Sequence, residues 1–153
     1  MIHADWTKVL EDPGFVPELL SIDQLVITFF VTHPLPEDPF LAVSGRYHEE
    51  LFDRMVGAHR AAGHRFLGYE HAKWMAARQS EIPAEWRQWN LVFPATVVKD
   101  ARDHRSIGGY NHRYFPVLSY VRENGCRSHW RVIWRGIACD RLCELDQLVF
   151  VAK

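Results

Sequence analysis

Cysteine is scarce in this chain, and long apolar runs are missing. Three cysteines are an odd number and too few for a disulfide scaffold, which favours a reducing compartment. No apolar run approaches the ~20 residues that a membrane span needs. The first residues, Met1 to Asp5, also lack the basic start and apolar stretch of a signal peptide. We therefore expect a cytoplasmic protein with no membrane partner.

The sequence also lacks the motifs of several common enzyme classes. It contains no P-loop, no Rossmann glycine pattern, no nucleophile elbow of the α/β-hydrolases and no helical zinc-protease motif. These absences lower the expectation for the commonest chemistries without excluding an unusual active site. We expect no cofactor.

The chain has the composition of an ordered globular protein. Apolar residues make up 48% of its 153 residues, and six tryptophans with nine phenylalanines can bury large areas. A chain of this length buries about two-thirds of its unfolded surface as one domain. We expect a single domain over residues 1–153.

Five apolar runs rich in β-branched and aromatic residues predict strands, one in the N-terminal third and four after residue 89. They are Asp23–Thr32, Leu91–Val98, Tyr114–Val121, His129–Arg135 and Leu148–Ala152. Asn124-Gly125 is a turn signal between two of them. Pro94 and Pro116 remove ladder donors, so each is expected at a bulge, a strand end or an edge. Residues 1–21 favour an irregular arm or a short helix.

Two segments in the middle of the chain show helical spacing. Apolar residues from Leu51 to Ala62 form one stripe, with Gly63 as the stop, and a second stripe runs from Leu67 to Arg78. His59 and His71 lie on these stripes and are interpreted as core residues. The predicted fold class is α+β: an antiparallel sheet of about five strands, made of a C-terminal four-stranded meander plus an N-terminal strand, with two helices packed on one face.

Charge is distributed unevenly along the chain. Residues 1–53 hold ten acids against two bases, whereas residues 54–153 hold nine acids against sixteen bases. One interpretation is internal complementarity, with the acidic segment folding back over the basic sheet. The other is an acidic partner. The sequence does not decide between them, nor whether neutralisation would occur within one molecule or across a homodimer.

A basic face and a long polar loop form the candidate interaction site. In the His129–Arg135 run, Trp130 and Trp134 would point inward while Arg131 and Arg135 point outward, where guanidinium groups suit phosphates or carboxylates. The loop of residues 99–113 is longer than a tight hairpin needs and concentrates polar side chains. The candidate binding residues are Arg102, Arg105, Tyr110, Arg113, Arg127, Arg131 and Arg135.

These features favour a small binding or inhibitory protein over an enzyme. The expected partner is a protein or nucleoprotein complex with an acidic surface, and nucleic acid alone or a homodimer are further alternatives. A competing hypothesis is a His-dependent hydrolase or nuclease that uses His104 and His112, because a histidine in a basic loop can act as a general base on a phosphodiester.

A zinc site is a minor alternative. Cys126, His129, Cys139 and Cys143 supply four ligands of the right type in two close pairs. If residues 129–135 form a strand, however, Cys126 and Cys139 lie roughly 25–30 Å apart unless the chain turns back. The spacing therefore argues against metal binding, and we expect no metal.

Overall fold

The computed structural model describes residues 6–11, 21–33, 45–100, 113–122, 127–138 and 141–151. These residues form two α-helices and seven β-strands. In chain order they are β1 (Trp6–Glu11), β2 (Leu25–Phe29), α1 (Gly45–Ala61), α2 (Tyr69–Ala76), β3 (Asn90–Val92), β4 (Thr96–Asp100), β5 (Arg113–Val121), β6 (His129–Gly136) and β7 (Asp146–Val151). The α+β class predicted from the sequence is confirmed. None of the described helices is long and apolar enough to cross a membrane.

The sheet is organised around β5. Strand β6 pairs antiparallel with one edge of β5, from Tyr114 opposite Gly136 to Val121 opposite His129. Strands β3 and β4 pair with the other edge, also antiparallel. Beyond them, β1 pairs with β4 and β7 pairs with β3, and β2 lies outside β7. The predicted pairing of β5 with β6 is confirmed, and its turn signal at Asn124-Gly125 lies outside the described residues.

A break separates β3 from β4. Pro94 lies in this break, and Pro116 of β5 lies opposite it. The sequence predicts one strand from Leu91 to Val98, but residues 93–95 leave the ladder, with Pro94 in the turn. The Pro116 carbonyl accepts a hydrogen bond from the Phe93 amide at 3.1 Å. Because the nitrogen and oxygen of one strand residue point to the same edge, the missing Pro116 donor also faces the break. Pro94 therefore lies where the sequence predicts, between two strands, whereas Pro116 lies inside the central strand β5 and not at a bulge, an end or an edge.

The predicted antiparallel meander of about five strands is wrong. Strand β7 runs parallel to β3, with Asn90 opposite Asp146, and the sheet of seven strands is therefore mixed. The seventh strand is β1, at residues that the sequence placed in an irregular arm or a short helix. Local patterns show which residues form strands, but the order of strands depends on contacts between distant segments.

The two helices lie on opposite faces of the sheet, so the prediction that both pack on one face is also wrong. On α1, Phe52 and Met55 pack in a cluster with Val92, Val117 and Leu148. On α2, Ala72 and Met75 pack in a cluster with Leu91, Leu118 and Val149. Successive strand residues point to opposite faces, and these neighbours divide between the two clusters. We call the two sides the α1 face and the α2 face.

Each helix is bounded as its sequence dictates. After α1, Gly63 adopts a φ of 84°, the left-handed conformation that favours glycine, and this confirms the predicted stop. Helix α2 begins only at Tyr69, whose amide donates to the Thr96 hydroxyl at 2.9 Å. Because the cap comes from β4, far away in the sequence, the start of α2 could not be predicted locally.

Candidate functional site

Several of the predicted site residues lie outside the described residues. They are Arg102, His104, Arg105, Tyr110 and His112 of the long loop, together with Cys126 and Cys139 of the zinc alternative. The hydrolase and zinc hypotheses therefore stay predictions. In the part of the chain that the structure describes, no group of three or more histidines, cysteines or acidic residues could hold a metal ion.

Arg113 is engaged within the molecule. It begins β5, and its Nη2 donates to Glu49 Oε1 at 2.8 Å and to Asp53 Oδ2 at 3.1 Å, both on α1. The Arg113 and Glu49 side chains are largely buried, whereas Asp53 is more exposed. This cluster ties the first turns of α1 to the sheet. It is a case of the internal complementarity between the acidic segment and the basic sheet.

Arg135 is also engaged within the molecule. Its guanidinium forms an ion pair with the Asp146 carboxylate, which is fully buried, and Nη2 donates to the Arg141 carbonyl at 3.0 Å. The same guanidinium lies 5.6 Å from the centre of the Phe115 ring. Asp146 in turn accepts from the Cys143 amide at 2.8 Å. Arg135 thus closes a polar network on the α1 face.

Arg131 and Arg127 have different surroundings. Both are exposed, Arg131 on β6 and Arg127 just before that strand. Between them, Trp130 is only 2% exposed and packs on the α2 face, as the sequence predicts. Trp134 is half-buried against the Tyr69 ring of α2, with centroids 5.0 Å apart. Because side chains alternate along β6, Arg131 projects from the opposite side, the α1 face, where it is exposed.

The side chain of Gln79 covers the edge of β6 beside these residues. The Trp130 amide donates to Gln79 Oε1 at 2.9 Å, and Gln79 Nε2 donates to the Trp130 carbonyl at 3.0 Å. A carboxamide that bonds both groups takes the place of a further strand at this point of the edge. The structure therefore fixes the backbone from which Arg131 projects.

Further cationic and aromatic residues lie near Trp130 and Arg131, at one end of the sheet. We call this end the distal end. Here β5 ends, and β3, β6 and β7 begin; the register sets Arg131 opposite Ser119 and Ser119 opposite Asn90. Arg87 and Arg122, both exposed, lie 4.7 Å and 5.8 Å from the centre of the Tyr120 ring. Four exposed arginines thus lie at the distal end, on different faces of the sheet: Arg87 and Arg122 at the Tyr120 ring on the α2 face, Arg131 on the α1 face, and Arg127 just before β6.

An aromatic row crosses the α2 face at the distal end. Trp130 meets Tyr120 edge to face with centroids 5.5 Å apart, and Trp89 meets Phe29 in the same way at 6.0 Å. Continuing the antiparallel register of β3 and β5 by one residue beyond Asn90 places Trp89 opposite Tyr120. We call Phe29, Trp89, Tyr120 and Trp130 the aromatic row. It connects Arg87 and Arg122, at the Tyr120 ring, with the end of β2.

The row ends in an apolar patch. Of the large apolar side chains in the described residues, the exposed ones are Phe29, at 53%, and Leu145, at 47%. The Asn90 amide donates to the Leu145 carbonyl at 2.8 Å, so the backbone of Leu145 lies against the residue that follows Trp89. Sequence reasoning missed this patch because its members come from three separate segments. The pairing of β7 with β3 on one side and with β2 on the other brings them together.

The buried histidines form a site of a different kind. His59 Nε2 lies 2.7 Å from the Phe30 carbonyl and must donate to it, so a neutral His59 accepts at Nδ1 from His64 Nδ1, 3.1 Å away. Burial lowers the pKa of His59, more strongly than its hydrogen bond to Phe30 raises it. Burial also lowers the pKa of His71, whose Nδ1 accepts from the Gly68 amide. Both histidines are buried in the fold, as the sequence predicts; His59 has partners at both ring nitrogens, whereas the buried Nε2 of His71 has no hydrogen-bond partner among the described residues.

Comparison with known proteins adds no relative. No protein-family model matches the chain, and no curated protein or solved structure is significantly similar to it. The function must therefore be argued from the geometry of the distal end and from the residues that it brings together.

Proposed function

We propose that this protein is a small binding or inhibitory protein that recognises an acidic surface of a protein or nucleoprotein partner. The observation that carries the proposal is the position of four exposed arginines at the distal end of the sheet: Arg87 and Arg122 at the Tyr120 ring of the α2 face, Arg127 just before β6, and Arg131 on the α1 face. Arginine is enriched at binding hot spots because its planar guanidinium can bond a carboxylate or a phosphate bidentately. The partner would be met in the cytoplasm.

The remaining predicted binding residues divide into two groups: those that stabilise the fold and those that stay proposed contacts with the partner. Arg113 and Arg135 already neutralise carboxylates of their own chain, and moving them to a partner would leave buried or half-buried acids unpaired. We therefore assign these two to the stability of the fold. Arg102, Arg105 and Tyr110 of the long loop remain proposed contacts, as do the alternatives of a nucleic-acid partner and a homodimer.

A charge-reversed variant tests the proposal. The protein is immobilised and exposed to an extract of its native host, in parallel with an Arg127→Glu, Arg131→Glu variant. The control is Arg54→Glu, which makes the same change at an exposed position of α1. We expect the first variant to lose a partner that the wild type and the control retain. Identical partners for all three proteins would contradict the proposed face.

The alternative function, a His-dependent hydrolase or nuclease, keeps a direct test. Purified protein is assayed for hydrolysis of a phosphodiester, together with His104→Ala and His112→Ala variants. Turnover that both substitutions abolish, with Arg127→Glu, Arg131→Glu leaving it unchanged, would favour the enzyme over the binding protein.

A further inference from the structure

The exposed apolar patch beside the distal arginines is costly in water. Burying a phenylalanine or leucine side chain is favourable by about 1.5–3 kcal/mol, and Phe29 and Leu145 leave about half of that area exposed. Scattered apolar residues are ordinary on a surface, but Phe29 meets Trp89, and the Leu145 carbonyl is bonded to Asn90, the residue after Trp89. Exposed apolar residues that cluster in this way are typical of a contact surface.

The arginines of the same surface are partly held in place. Arg87 and Arg122 lie over the Tyr120 ring, and this attraction restrains their long side chains. Restrained side chains lose less entropy when they bind, so they can hold a carboxylate at a smaller cost. Two exposed acids, Glu85 and Glu144, lie close along the chain to Arg87 and Leu145, and Asp146, next to Leu145, is buried in its ion pair with Arg135. On the α2 face, the distal end combines the two arginines at Tyr120 with the exposed Phe29 at the end of β2.

This combination fits protein better than nucleic acid. Single-stranded nucleic acid is bound by open aromatic faces on which bases stack. Here two guanidiniums lie over the Tyr120 ring, Trp89 meets Phe29 edge to face, and Leu145 has no aromatic face. Leucine and phenylalanine find their best counterpart in another apolar side chain, whereas the arginines need an anion.

We propose that the distal end binds a protein segment in which acidic side chains flank an apolar one. Phe29, Trp89 and Leu145 receive the apolar side chain, and the arginines around Tyr120 receive the carboxylates. This inference rests on the proposed binding function and names its partner class. Aromatic and arginine residues packed side by side are the composition that dominates binding energy at protein interfaces.

Fluorescence anisotropy with three labelled probes tests the inference. The first is a short peptide with glutamates around a leucine-phenylalanine pair, the second has serines in place of that pair, and the third is an oligothymidine strand. We expect the first peptide to bind at least about tenfold more tightly than the second, because one buried large apolar side chain is worth about a factor of ten. Binding should weaken as ionic strength rises.

Three variants locate the site. Phe29→Ser should weaken the first peptide about tenfold and leave the second unchanged, since Phe29 is exposed and the fold does not depend on it. Trp89→Ala should also weaken binding of the first peptide. Its matched control is Trp74→Ala, which removes another half-buried tryptophan of the α2 face, one that lies under the Arg78 guanidinium and outside the aromatic row. Circular dichroism of each variant checks that it is folded.

The outcomes separate this inference from the proposed function. Equal binding of both peptides, lost in Arg127→Glu, Arg131→Glu but kept in Phe29→Ser, would overturn the inference and leave the binding function standing. Tightest binding of the oligothymidine would replace a protein partner by nucleic acid. Sedimentation that shows a dimer in the wild type and a monomer in Phe29→Ser would make a second copy the occupant. Failure of the wild type to bind any probe would count against both proposals.

Discussion

Arg131 and Arg135 project from the same side of β6, yet their surroundings differ. Arg131 is exposed, whereas Arg135 is paired with a carboxylate that has no contact with solvent. Removing one partner of a buried ion pair leaves the other charge without compensation. The two arginines therefore play different parts, although the alternating pattern of the strand makes them look equivalent.

Substitution of each arginine by methionine should reveal this difference. Arg135→Met leaves the buried Asp146 carboxylate without its cationic partner, and we expect the free energy of unfolding to fall by about 3–5 kcal/mol. Arg131→Met, its control on the same strand, should change that free energy by about 1 kcal/mol or less. Urea denaturation measures both. A loss of only about 1 kcal/mol in Arg135→Met would show that Asp146 does not depend on Arg135.

The buried histidines predict that stability depends on pH. Burial lowers the pKa of His59 and of His71, so the unfolded chain binds more protons than the native state once the pH falls below their ordinary value of about 6.5. The free energy of unfolding should be constant above that value and decrease as the pH falls through the lowered native pKa values. Denaturation curves between about pH 8 and about pH 5 measure this decrease.

A glutamine variant assigns the effect. In a His59→Gln, His71→Gln protein the side chains still form hydrogen bonds but take up no proton in this range. The decrease below about pH 6.5 should therefore become shallower than in the wild type, whatever the stability of the variant at about pH 8. An unchanged decrease would mean that other groups cause it.

At the scale of single elements, replacing either of two glycines by alanine should change the free energy of unfolding, but in opposite directions. At Gly68, before α2, an added Cβ would lie 2.4 Å from Thr96 Oγ1, the atom that caps the helix. At Gly57, inside α1, a Cβ would meet nothing within 4 Å. Glycine inside a helix costs stability relative to alanine because the unfolded chain loses more freedom.

We expect Gly68→Ala to lower the free energy of unfolding by about 1–3 kcal/mol, because the Thr96 side chain must move and the cap is lost. Gly57→Ala should raise that free energy by about 0.5–1 kcal/mol. Thermal denaturation followed by circular dichroism at 222 nm, the usual helix signal, measures both. A stabilised Gly68→Ala protein would show that the Thr96 contact is unimportant for α2.

At this scale, the sequence predicted which segments form helices and which form strands. Alternating apolar residues identified β5 and β6, and helical spacing identified α1 and α2. The pairing of β3 with β7 could not be predicted, because nothing in either strand alone favours a parallel neighbour. The faces of the helices were missed for the same reason, since they depend on the connections between elements.

At the scale of the whole molecule, the uneven charge is partly neutralised inside the fold. Arg113 of the basic part binds Glu49 and Asp53 of the acidic part, which agrees with the interpretation of internal complementarity. Exposed arginines nevertheless remain at the distal end. The candidate site could be predicted only in part: Arg127 and Arg131 lie on a recognisable strand and its approach, whereas the apolar patch depends on the strand order.

The sheet also couples the two faces into one cooperative unit. Neighbouring residues of each central strand, such as Leu91 and Val92 on β3, belong to the separate clusters of the α2 face and the α1 face. Neither cluster can lose its sheet residues without disturbing the other. This coupling is the physical basis for the prediction of a single domain, which folding experiments can test.

Met55 of α1 and Met75 of α2 are both fully buried, one in each cluster, and make a matched pair for that test. Each substitution by alanine should lower the free energy of unfolding by about 2–5 kcal/mol. Tryptophan fluorescence reports mainly the α2 face, where Trp74, Trp89 and Trp130 pack, whereas circular dichroism reports both helices. In one cooperative unit the two signals change at the same urea concentration in either variant. If Met55→Ala shifted the circular dichroism transition while the fluorescence transition stayed in place, the two faces would unfold separately.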